Sequence, residues 1–145
     1  MMISLENIKN AVSQKLNALF GDSYKIYTEE IKQGLDPPAF FIQFLEPAQK
    51  QVLNNRYYRT YPLDIIFFPV ENGSEISQCE SVAEILFDGM EYITVDDSLC
   101  RGTKMHYEIV DKVLHFFVQF NMHVLKSKSS DEYMKNLKYN GFMKG

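Results

Sequence analysis

The sequence predicts an α+β fold: an antiparallel or mixed β-sheet with amphipathic helices packed on one face. Three observations carry that expectation. Apolar residues recur at helical spacing over residues 5–19 and again over 76–90. Residues 114–124 instead alternate, with an apolar side chain at every even position. The chain has 145 residues, enough for one core and too few for two comfortable domains. Residues 1–125 are therefore expected to form a single domain, and 126–145 a polar tail with a short helix that is a candidate to order only in an assembly.

Ser4 can cap the first helix, whose inner stripe is Leu5, Ile8, Val12, Leu16 and Leu19, and Gly21 closes it. Tyr24 to Glu29 alternates as a short strand. Gly34-Leu35-Asp36-Pro37-Pro38 is a turn, because two prolines have no N–H to offer a ladder. A second, Phe-rich strand covers 39–45. Residues 46–55 are polar and read as a loop or the tip of an extended hairpin. The run RYYRTYPLDIIFF over 56–68 suits a pleated surface, and Pro62 within it calls for an edge position or a bulge. Ser74 opens a second helix with Ile76, Cys79, Val82, Ala83, Leu86, Phe87 and Met90 along one stripe. A short strand pair follows around Asp96-Asp97-Ser98.

The clearest periodicity is near the C-terminus, where Leu114, Phe116, Val118, Phe120, Met122 and Val124 share a face. If Asp111-Lys112 is a two-residue turn, Ile109 meets Leu114, Tyr107 meets Phe116 and Met105 meets Val118. The apolar sets of both strands then fall on one side, which supports that register independently of the turn. Lys is a poor second residue for a type I′ turn, where Gly is preferred, so a longer turn is the alternative. Ser129 or Ser130 can cap a last short helix through Tyr133, Met134 and Leu137, ending at Gly141.

Composition excludes several classes. Fifteen basic against nineteen acidic residues leave a net charge of −4, unsuited to gripping nucleic acid or an anionic membrane. No apolar run approaches the roughly 20 residues of a membrane span, and the N-terminus lacks a secretory pattern. Two cysteines, Cys79 and Cys100, fit a reducing compartment better than a disulfide scaffold.

Few residues suggest chemistry. His106, Glu108 and His115 share one hairpin face and are of metal-ligating type, but a cross-strand Glu–His pair explains them more simply. His123 lies eight strand positions from His115, about 27 Å, too far to share an ion. Cys100 is followed by Arg101, which could lower a thiol pKa, yet no nucleophile motif surrounds it; Cys79 reads as core. The acid pairs Glu29-Glu30 and Asp96-Asp97 have no second acid at useful spacing, and the glycines, Gly102 among them, read as isolated turn or helix glycines. Arg56, Tyr57, Tyr58 and Arg59 interleave basic and aromatic groups, a pattern of single-strand nucleic-acid binders and of protein interfaces. The acidic net charge favours the protein interface, with Arg101 a further candidate for it. No catalytic, cofactor-binding or metal residue is assigned.

The stretches ISLENIKNAV, YTEEIKQGLDPPAFFIQFLEP, NNRYYRTYPLDIIFFP and LCRGTKMHYEIVDKVLHFFVQFNMHVL together resemble the phage tail terminator family of long-tailed phages and prophages. The last is the most specific, with RGT, YEIVD and LHFFVQFN in order at fixed spacing. The resemblance implies a non-enzymatic virion protein with no cofactor. It would form a homo-oligomeric ring, usually of six, on the end of the tail tube, having assembled in the host cytoplasm. The ring would stop tube polymerisation and offer a surface to the head-side connector, so the implied partners are other copies, the tail tube protein and the connector or neck protein. No membrane and no sequence-specific nucleic acid are implied, and the ring would leave room for DNA to pass through it. Other neck or head-completion proteins, and a small metal-dependent or ligand-binding domain on the His106–Glu108–His115 face, are the alternatives.

Overall fold

The computed structural model describes residues 4–29 and 34–126. In chain order the elements are α1 (Leu5–Phe20), β1 (Lys25–Tyr27), β2 (Ala39–Phe44), β3 (Ala48–Leu53), β4 (Arg56–Phe68), α2 (Glu75–Gly89), β5 (Tyr92–Val95), β6 (Ser98–Val110) and β7 (Val113–Leu125). The fold is α+β with a mixed seven-stranded sheet in the order β1-β2-β4-β7-β6-β5, and β3 pairs with β4 off that path. Of the tail with a short helix expected over 126–145, all but Lys126 lies outside the described residues.

The chain divides into two compact units. Residues 1–47 and 60–121 form the first, and residues 48–59 and 122–145 the second. The first unit holds both helices and most of the core. α1 starts at Ser4, whose hydroxyl accepts from the Asn7 amide while the Asn7 side chain accepts from Ser4, and stops at Gly21, whose φ of 92° suits glycine. Ile8, Val12 and Leu16 on α1 and Cys79, Ala83 and Leu86 on α2 are fully buried. They cover one face of the sheet, built from Phe40 and Ile42 on β2, Leu63, Ile65 and Phe67 on β4, and Leu114, Phe116, Val118 and Phe120 on β7. Ring contacts bind helices to strands: Phe20 to Phe40 at 4.9 Å, and Phe87 edge-on to Phe116 at 5.1 Å.

Two expectations about α2 change. Ile76 is exposed, since α2 turns that ridge to solvent, and Ser74 makes no side-chain cap. Gln78 ties the helix start instead, donating to the Val70 carbonyl and accepting from the Val70 amide.

The β6–β7 hairpin has the expected register from Val110↔Val113 to His106↔Phe117. Its turn is two residues long, with Asp111 at φ 51° and Lys112 at φ 64°, as a type I′ turn requires, despite the lysine. Met105 does not meet Val118. A shift between Thr103 and His106 offsets the ladder by one, with Lys104 at φ 54°, so Thr103 faces Gln119 and Gly102 faces Phe120. Gly102 is a strand residue, not a turn glycine. Its amide donates to the Glu91 carbonyl at 2.8 Å, and a Cβ there would stand 2.2 Å from the Met90 carbonyl oxygen.

Pro62 is not on an edge strand, because β4 lies between β2 and β7. Its carbonyl accepts from Leu45, just past the end of β2. A strand residue's N and O point the same way, so the missing donor faces the break between β2 and β3.

Candidate functional site

The second unit contains most of the interface candidates, and its local chemistry explains their placement. Residues 46–55 take the extended-hairpin form of the two expected: 48–53 form β3, and Asn54, at φ 51°, turns the chain into β4. Asparagine tolerates that conformation, and the Gln51 side chain donates to its carbonyl at 2.6 Å. Every residue of β3 is exposed, Val52 at 51% and Leu53 at 63%. Arg56 is exposed at the start of β4, while Tyr57, Tyr58 and Arg59 are half-buried. Tyr57 lies under the Lys126 ammonium, 4.2 Å from its ring centroid, and Tyr58 packs on His123 at 4.9 Å. Arg59 Nε donates to Gln49 Oε1 at 2.7 Å, and the Lys126 amide donates to the Asn55 carbonyl at 2.9 Å. The structure thus brings Arg56, Tyr57, Tyr58 and Arg59 together on one hairpin. Arg101 is exposed on β6 of the first unit, opposite Asn121.

The chemical candidates resolve differently. Glu108 does face His115 across the hairpin, but His115 Nδ1 donates to Asp64 Oδ2 at 2.9 Å. His106 stacks on Phe117 at 4.7 Å with its Nδ1 3.2 Å from the Lys104 carbonyl. Among the described residues no three His, Cys, Asp or Glu side chains are placed to hold a metal ion. Cys100 is a core residue at 3% exposure, and burial pushes its thiol pKa up, opposite to what a nucleophile needs. Burial also raises the Cys79 thiol, with Glu75 and Glu80 adding to it. Asp96 and Asp97 form the β5–β6 turn at φ 51° and 66°; Glu30 lies outside the described residues.

Sequence reading passed over Asp64, a lone carboxylate inside the apolar run PLDIIFF. It is 6% exposed, and its Oδ1 has no hydrogen-bond partner among the described residues. Burial raises its pKa above 3.8, while the hydrogen bond and charge of His115 pull it down and Glu108 pushes it up again. The pair lies on the sheet face opposite the helices, since Asp64 alternates with Leu63 and Ile65 of the core. An open cleft of about 380 Å³ lies elsewhere on the first unit, lined by Pro37, Phe68, Glu75, Asp111 and Lys112 among others. The Glu75 carboxyl there is held low, chiefly by backbone amides at the start of α2. Neither place assembles an acid, a base and a nucleophile.

The two units differ most in charge. The first has seventeen carboxylates and seven Lys or Arg, a balance of −10, and the second has eight Lys or Arg and two carboxylates, a balance of +6. The described residues of the second unit include Lys50, Arg56, Arg59 and Lys126 and no Asp or Glu. From Glu71 to Asp97, by contrast, the chain has eight acids and no Lys or Arg.

A family model described as phage tail terminator protein matches residues 7–132. No curated protein matches the chain. Solved structures match as well; one of them is similar over 87% of this chain and 98% of its own, at 10% identity and a TM-score of 0.45, a likeness too distant to bear on function. No helix among the described residues is long and apolar enough to cross a membrane.

Proposed function

The chain belongs to the phage tail terminator protein family, which makes it a structural component of the virion tail, and from that premise we propose that copies close into a ring on the end of the tail tube. The ring, of six subunits, halts tube polymerisation and presents the surface to which the head-side connector joins. Assembly takes place in the host cytoplasm before the tail meets the head.

One observation carries this reading beyond the family. A closed ring needs two different, mutually complementary patches on every subunit, because each copy meets its two neighbours through unlike surfaces. This chain has unlike surfaces of opposite charge, a basic hairpin in the second unit and an acidic run from 71 to 97 in the first. A soluble monomer has little use for a strand exposed along its whole length with Val52 and Leu53 outward. Arg56, Tyr57, Tyr58 and Arg59 belong to the interface on this reading, and Arg101 to a separate contact with tube or connector.

The test is to add purified protein to polymerising tail tube subunits and measure tube lengths by electron microscopy. Addition should arrest elongation, with a ring at one end of each tube. Tubes that lengthen unchanged would refute the terminator role.

A further inference from the structure

We propose that the basic hairpin of one copy, β3 with the start of β4, docks along the exposed face of α2 on the next copy. This rests on the ring reading and names the contact within it. The hairpin offers Lys50 and Arg56 as exposed cations, with exposed Val52 on the same face of β3 as Lys50 and exposed Leu53 on the other. The exposed ridge of α2 is its counterpart. Ile76, Glu80, Glu84 and Asp88 follow one another every fourth residue, and Ile85 stands next to Glu84. Glu80, Glu84 and Asp88 are exposed, and Ile76 and Ile85 are 45% and 41% exposed. Each surface therefore pairs charges of one sign with uncovered aliphatic side chains. The signs are opposite.

The same charges select the geometry. Two hairpins facing one another would set cation against cation, and two α2 faces acid against acid. Like-charge juxtaposition across an interface is costly, so a two-fold contact through either surface is disfavoured. Hairpin on helix is the favourable pairing, and it is head-to-tail, leaving one hairpin and one helix face open at the two ends of any incomplete chain of copies. Closing them on each other gives a ring. Because the attraction is between exposed groups, it is screened as salt rises and the Debye length falls from about 10 Å at 0.1 M to about 3 Å at 1 M.

The experiment uses full-length protein, mixing copies labelled with nitrogen-15 and unlabelled copies at low ionic strength. A zero-length carbodiimide then joins amines to carboxylates in contact, and mass spectrometry identifies the links. The contact predicts mixed-isotope links from Lys50 to Glu80 or Glu84, lost at high salt. The pairs K50E/R56E and E80K/E84K should each weaken self-association roughly tenfold or more, with circular dichroism unchanged. A chain with all four substitutions should recover it. Absence of mixed-isotope links overturns the contact, as does unchanged association in either pair, or a hairpin that retains duplex DNA while copies stay unlinked. Light scattering on the same samples separates the two claims: ring-sized mass without these links refutes the contact alone, and links without a ring refute the ring.

Discussion

The two units of this chain are built on different physics. The first is held by burial: Phe40, Phe67, Phe116 and Phe120 are fully enclosed beneath two amphipathic helices. The second has only Met122 and Val124 buried among its described side chains, and a strand with no buried residue at all. A strand that buries no side chain adds no hydrophobic stabilisation of its own. One region therefore has the features of a self-sufficient fold, and the other those of a surface completed by a partner. Charge divides along the same line, so function should be separable from folding by mutation.

The sharpest way to break that comparison is to attack the first unit. Phe116→Ala removes a fully buried ring that packs against Phe87, and should cost about 3–5 kcal/mol in urea unfolding. Gly102→Ala comes next, because the new Cβ would overlap the Met90 carbonyl, a backbone atom that cannot step aside cheaply. A loss of about 1–3 kcal/mol is expected, and an unchanged thermal midpoint would show that β6 and the end of α2 are less tightly apposed than described.

His115→Leu is subtler. It leaves the buried Asp64 carboxylate without its donor, at a cost of about 1–3 kcal/mol at pH 7. Burial already raises Asp64 above 3.8 in the folded state, and losing His115 raises it further. A carboxyl whose folded pKa exceeds its unfolded one favours folding when protonated, and that advantage is lost as pH rises through the folded pKa. The variant's deficit should therefore be full at neutral pH and shrink as pH falls towards 3.8. Urea titrations at the two pH values check this, and a deficit independent of pH would mean that Asp64 is not the group affected.

The smallest stability effect belongs to the second unit. Val52→Ser with Leu53→Ser should shift unfolding by no more than about 0.5 kcal/mol, since both side chains are already exposed. The same pair should lower self-association, measured by sedimentation velocity. Large unfolding effects there would erase the distinction between the units.

The sequence revealed the first unit more readily for the same reason. Burial on one side imposes period: the even residues of β7 are all buried, and helix stripes announced Ile8, Val12, Leu16, Cys79 and Leu86. The turn at Asp111-Lys112 and the pairing down to His106 followed from that period. The offset beyond His106 did not, because it lies next to Gly102, where β6 approaches the backbone at Met90. AQKQVL showed no alternation because β3 has no inner face to alternate with. At the interface, Arg56 to Arg59 stood out as residue types, whereas Val52, Leu53 and the α2 ridge became visible only with exposure. Asp64 was hidden by the apolar run around it, and His115 is 51 residues away in the chain.

The most direct measurement is the molar mass of the purified protein by light scattering, across a concentration series at low and high salt. Two complementary patches on one chain predict a discrete species of about six 16.9 kDa subunits that dissociates as salt rises. A chain that stays monomeric throughout, stops at a salt-insensitive dimer, or grows without limit would contradict the account.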